Sequence, residues 1–220
     1  MPRILFEKKG NAVWISHLDL MRLFQRAFKR GNLPLKHTQG FNPRPSVSIA
    51  LPLSVGVESS CELLDFDFDG DKITNRIVRG RLNDLMVPGI KIIKVYDNGR
   101  KIRDLALLDT VVTLEYDAGV PAGGAETIRE LFGREEVLVE KKTKSNGIQD
   151  QNIIPMIKSM EVVQADGKTI ELHARVCCQN PTLNPMQLHG AIVRHLPELT
   201  PSFAKCERIE IYDNDGIVFR

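Results

Sequence analysis

The chain has 220 residues, is 42% hydrophobic and 26% charged, and carries a formal net charge of +2 with a pI near 8.3. That length fits one large domain or two small ones, and the composition lies far from that of disordered chains. No run approaches the ~20 apolar residues needed to cross a bilayer, and the opening MPRILFEKKGN has no apolar stretch of signal-peptide length, so a cytoplasmic protein away from membranes is expected.

The first half reads as follows. Pro2 to Lys8 alternates like a strand, and Lys9-Gly10-Asn11 is a turn. Ser16 can cap a helix, with Asp19 three residues later in a near capping box, and Gly31-Asn32 marks its end. Within that helix Leu20, Leu23, Phe24, Ala27 and Phe28 share one face, and Arg22, Gln25, Arg26, Lys29 and Arg30 cover the opposite one. Leu33 to His37 reads as a short strand and Ser46 to Leu53 as a better one. Glu62 to Phe68 alternates acidic and apolar residues, as a half-buried strand does. Lys72 to Met86 is helical, Pro88-Gly89 ends it, and Ile90 to Tyr96 is a strand.

The second half repeats that order approximately. Thr110 to Tyr116 is a strand, Glu126 to Phe132 a helix closed by Gly133, and Glu136 to Lys142 a strand. Thr143 to Lys158 reads as an inserted loop with room for a short helix. Ser159 to Val163 and Ile170 to Val176 flank the hairpin turn Asp166-Gly167. Asn184-Pro185 opens a helix that runs to about Leu196, and Cys206 to Tyr212 is the last full strand. The expected fold is therefore α+β, with two tandem ferredoxin-like β-α-β-β-α-β units over 1–97 and 110–220 and a linker at 98–109. No internal sequence repeat accompanies this repeated order.

Charge is distributed unevenly. Ser16 to Pro45 holds six basic residues (Arg22, Arg26, Lys29, Arg30, Lys36 and Arg44) against one acid, Asp19, while the rest of the chain holds 24 basic and 27 acidic residues. A one-sign cluster favours an anionic partner, because local potential steers association more than net charge does. Like charges at i,i+4 also repel, a cost that a merely solvated helix face avoids by mixing in acids. Arg22, Arg26, Lys29 and Arg30 are thus candidate phosphate contacts on the face away from the core.

Thr38 to Pro45, TQGFNPRP, reads as a rigid loop. Gly40 permits a positive φ, Asn42-Pro43 favours a turn, and Pro45 holds Arg44 extended. Phe41 either stands at the loop tip, where it can stack on a base, or tucks into the core. His17 sits in the first helical turn and His37 just before the loop. They are the candidates for an acid–base pair, and a packed structural role competes for His17.

The four cysteines, Cys61, Cys177, Cys178 and Cys206, lack metal-site spacing and read as buried thiols. There is no P-loop, dinucleotide fingerprint, H-E-x-x-H or serine-hydrolase elbow, so neither a metal nor a cofactor is expected on this chain.

Ile15 to Ser59, with SHLDLMR, then GFNPRP, then an ALPL strand, resembles a bacterial family of unknown function, the radical SAM-linked (radical SAM-associated) proteins. Members of that family are encoded beside, or fused to, a radical SAM protein with a cobalamin-binding domain. The matched positions are His17, Asp19, Arg22, Gly40, Phe41, Asn42, Pro43, Arg44 and Pro45, and the family assigns none of them a catalytic role. The resemblance implies an accessory or substrate-binding module whose radical chemistry belongs to its partner.

Three readings follow. The first is a non-catalytic module that binds RNA, or another anionic substrate, for a radical SAM enzyme. The second is a metal-independent endoribonuclease using His17 and His37, by fold-level analogy alone. The third is a protein–protein adaptor for the radical SAM partner, which would expose an apolar patch, expected on the second half.

Overall fold

β1 (Arg3–Lys8) leads through a 3-10 turn (Gly10–Trp14) into α1 (His17–Arg30). This computed structural model describes residues 1–71, 73–142 and 147–220. Lys72, the expected start of the second helix, and the first residues of the expected insertion lie outside them. The chain divides into two compact units, Met1–Asp104 with Arg220, and Leu105–Phe219.

The first unit continues with β2 (Val47–Ile49), β3 (Val57–Phe66), α2 (Asn75–Asn83) and β4 (Ile90–Tyr96). Its strands pair antiparallel in the order β4-β1-β3-β2. The apolar face of α1 does what its spacing predicts: Leu20, Phe24, Ala27 and Phe28 are buried with Ile4 and Phe6 of β1, Leu64 and Phe66 of β3, and Val78 and Leu82 of α2. Phe24 meets Phe6 edge-on with centroids 4.9 Å apart, and Phe28 meets Phe66 at 5.0 Å. Each fully buried ring contributes roughly 1.5–3 kcal/mol relative to leaving it in water.

Other contacts fix the helix ends. Arg81 of α2 donates to the carbonyls of Gly31 and Asn32 just past α1, a favourable place for a cation. Asn83 exchanges a pair of hydrogen bonds with the backbone of Ile92, which ties the end of α2 to β4. Gly89 has φ +89°, and a Cβ there would run into the carbonyl of Lys9, so only glycine suits this close approach.

Three sequence expectations in this unit are corrected. Ser46 to Leu53 yields only the three residues of β2, because Leu51 takes φ +46° and Pro52 has no N–H to donate to a ladder. Leu33 to His37 forms no strand. It makes isolated bridges instead, Leu35 to Phe68 and His37 to Pro45, in a stretch interrupted by Pro34. β3 starts at Val57, five residues before the expected Glu62.

The second unit runs β5 (Leu105–Glu115), α3 (Gly124–Phe132), β6 (Leu138–Lys142), β7 (Ile148–Asn152), β8 (Ile157–Gln164), β9 (Thr169–Cys177), α4 (Met186–His195) and β10 (Phe203–Asp213). β5 takes in Leu105 to Asp109, at the end of the stretch expected to be linker. The order β10-β5-β9-β8 is again antiparallel. Expected as a strand of this sheet, β6 instead pairs with β7 in a separate ribbon. α4 holds that ribbon: Arg194 makes a two-pronged ion pair with Asp150, and His195 donates to the carbonyl of Leu138. Cys61, Cys177, Cys178 and Cys206 are buried thiols in no disulfide, and burial pushes Cys178 up to about 12.

Candidate functional site

Local chemistry sets the phase of α1. The Ser16 hydroxyl accepts from the Asp19 amide at 3.2 Å and donates to its carboxylate at 2.8 Å. Asp19 also accepts from Arg22 at 3.0 Å. The bonds from Ser16 and then Arg22 hold the Asp19 carboxyl below its ordinary pKa. With the start fixed by this cap and the apolar face fixed by the core, the basic face has one direction left, toward solvent.

That face lines an open depression of about 660 Å³, formed by Asp19, Arg22, Gln25, Arg26 and Lys29 of the helix together with His37 and Pro45. Three permanent cations therefore stand against one carboxylate. Asp19 occupies Arg22 alone among them by an ion pair. Arg26 donates to the Arg22 carbonyl, and among the described residues Lys29 meets no carboxylate. Arg30 is exposed in the last turn and does not line the depression.

The second wall comes from the base of the loop. The Thr38 amide donates to the Arg44 carbonyl at 2.8 Å, and the Arg44 amide donates to the Thr38 hydroxyl at 3.0 Å. The bridge between His37 and Pro45 continues this pinch. Gly40 supplies φ +127°, a backbone that side-chain-bearing residues rarely adopt. Gln39, Gly40, Phe41, Asn42, Pro43 and Arg44 are all exposed. Of the two sequence alternatives for Phe41, the exposed one holds: its relative exposure is 106%.

The histidines part company. His37 is exposed and lines the depression, whereas His17 is half-buried at the first position of α1 and is not among the lining residues.

Sequence reasoning passed over two features. Trp14, two residues before the cap, is 67% exposed, and Leu18 in the first turn is 66% exposed. The other is a polar cluster in the second unit. The Arg175 guanidinium grips Asp109 with two bonds, at 2.7 and 2.9 Å, and stacks over the Tyr212 ring at 4.1 Å. The Tyr212 hydroxyl donates to the same carboxylate at 2.9 Å. Burial pushes the Asp109 carboxyl up, but the bonds from Arg175 and Tyr212 outweigh it and hold the group below its ordinary range. Asp109 and Arg175 border a depression of about 350 Å³ together with Ser159, Glu161 and His173. The only sequence signal for this cluster is a charged residue inside each of two apolar strands.

In fold, the chain is similar to a chain of a crystallised Cbf5-Nop10-Gar1 complex, with a TM-score of 0.52 at 10% identity over 97% of this chain and 50% of that one. Similarity to a chain of the archaeal box H/ACA sRNP Nop10-Cbf5 complex has a TM-score of 0.47 at 11% identity, over 94% of this chain and 46% of the other. Similarity to a chain of an H/ACA RNP bound to a substrate RNA containing 2′-deoxyuridine has a TM-score of 0.48 at 10% identity, over 94% and 46%. The chain thus spans about half the length of these solved chains. No curated protein matches it in sequence. Residues 2–185, however, match the sequence profile of a bacterial family, and the chain belongs to that family, described as "Uncharacterized protein conserved in bacteria (DUF2344)".

Proposed function

We propose that the protein is a non-catalytic module that binds RNA, or another anionic substrate, in the groove of its first unit and serves a separately encoded radical SAM enzyme. One observation carries the binding reading. A helix face with three cations and one carboxylate is closed on its other side by His37 and Pro45, next to a loop whose Phe41 is fully exposed. Phosphates suit the guanidinium and ammonium groups, and the ring and Arg44 on the loop suit a base and its backbone. The radical SAM partner rests on the sequence resemblance of Ile15 to Ser59. The repeated antiparallel order, β4-β1-β3-β2 and β10-β5-β9-β8, supports reading the two units as tandem ferredoxin-like folds.

The endoribonuclease alternative is weaker, because it needs both imidazoles at one scissile phosphate and only His37 lines the groove. Crosslinked purification of the full chain from its native cells, followed by sequencing of bound RNA and identification of bound protein, tests the proposal. A defined RNA recovered with a radical SAM protein is the expected result. The protein partner alone would favour the adaptor, and neither would overturn the account.

A further inference from the structure

The basic face of α1 does not end at Arg22. Leu18, Arg22, Gln25 and Lys29 follow one another at helical spacing, so exposed Leu18 begins the stripe that the cations continue. Just before it stands Trp14, which is 67% exposed. An indole left this open is a cost to a free protein, since an aromatic ring gains most from burial. It is also held in place. The benzo edge of the ring rests 3.6 Å from where a Cβ of Gly56 would stand. The Gly56 amide donates to the Val13 carbonyl at 3.0 Å, which clamps that loop to the turn carrying the indole. Gly56 has φ +86°, so the contact is made on a backbone that a larger residue would strain. Phe41, a second fully exposed ring, stands on the loop whose base, His37 and Pro45, lines the same groove.

We propose that the occupant of this groove is a single-stranded RNA, with phosphates along Arg22, Arg26 and Lys29 and an unpaired base stacked on Trp14. This rests on the RNA-binding reading of the groove and narrows it. A duplex satisfies cations equally well, but its base faces are already stacked on one another and have no use for an exposed indole. A positively charged track flanked by aromatic rings is the arrangement that single strands need.

Trp14 is the sole tryptophan of the chain, so its fluorescence reads this contact directly. The full-length protein is titrated with oligouridylate and, separately, with a blunt RNA duplex of the same length. The single strand should quench Trp14 emission. Trp14→Ala should weaken its binding about 5- to 100-fold while leaving duplex affinity unchanged, and Trp14→Phe should restore most of the loss. Circular dichroism checks that both variants fold. Oligouridylate that binds without moving Trp14 emission, and binds Trp14→Ala as tightly as wild type, overturns the stacking inference and leaves the groove reading standing. Tighter binding of the duplex than of the single strand also overturns it. Binding of neither RNA overturns both. A Trp14 signal on adding the radical SAM protein, but not on adding RNA, overturns the inference in favour of a protein on this patch.

Discussion

The groove of the first unit and the depression of the second both contain arginine, and they treat it in opposite ways. In the second unit Arg175 is paired: Asp109 accepts two bonds from the guanidinium and the Tyr212 ring lies against its face. In the first, Arg26 and Lys29 face solvent with no carboxylate among the described residues, and Asp19 occupies only Arg22. A cation that already has its partner contributes to the fold. One without a partner contributes little to stability and keeps its charge for a ligand. The difference teaches that arginine content alone does not locate a binding surface; what locates it is the acid missing from its surroundings.

The largest expected effect that would break this contrast is on binding. Replacing Arg22, Arg26 and Lys29 together with Ala should lower affinity for an RNA strand about 100-fold at ~0.1 M salt, if three phosphate contacts are lost. The unfolding midpoint should barely move, by less than about 0.5 kcal/mol in stability. Filter binding and urea denaturation of the same variant read both quantities. A destabilised variant with intact binding would reverse the roles assigned to the two regions.

Next in size is Asp109→Ala. It strands the Arg175 guanidinium and the Tyr212 hydroxyl, so it should cost about 1–3 kcal/mol in a urea titration. RNA affinity should stay at the wild-type level.

Acid sharpens the same point. The folded-state pKa of Asp109 is depressed, so its stabilising contribution is fully present above the ordinary carboxylate value of about 3.9. It is lost as pH falls through the lower folded value. Asp109→Asn should flatten that limb of the stability–pH curve relative to wild type, and an unchanged limb would mean the pair contributes nothing.

The smallest effect belongs to Asp19→Asn, which removes the one acid of the groove and keeps an oxygen for Ser16 and Arg22. RNA affinity should rise several-fold in the same filter assay. A fall would show that Asp19 helps the ligand rather than opposing it.

Legibility from sequence followed range along the chain. The helix of Ser16 to Arg30 could be read because its cap, its apolar period and its one-sign charges are contiguous, and the core packs them as their spacing requires. The exposed loop could be read because Pro43 and Pro45 restrict the backbone locally while Gly40 permits its positive φ. That His37 and Pro45 would line the same depression as Arg22 and Lys29 could not, since it depends on how the loop packs beside the helix. Trp14 gave no signal because one exposed ring has no period. Asp109 and Arg175 lie 66 residues apart and meet only through the register of β5 against β9. The alternation in β6 reads the same whichever partner it pairs with, which is why the ribbon with β7 escaped notice.

The most direct test of the central claim is the salt dependence of single-stranded RNA binding, measured for wild type and for the Arg22→Ala/Arg26→Ala/Lys29→Ala variant. Three phosphate contacts on α1 predict that the slope of log affinity against log salt is steeper by about 2 in the wild type than in the variant, which keeps only the contact of Arg44. The same slope in both proteins, or wild-type binding indifferent to salt, would contradict the assignment of the α1 groove as an anion-binding surface.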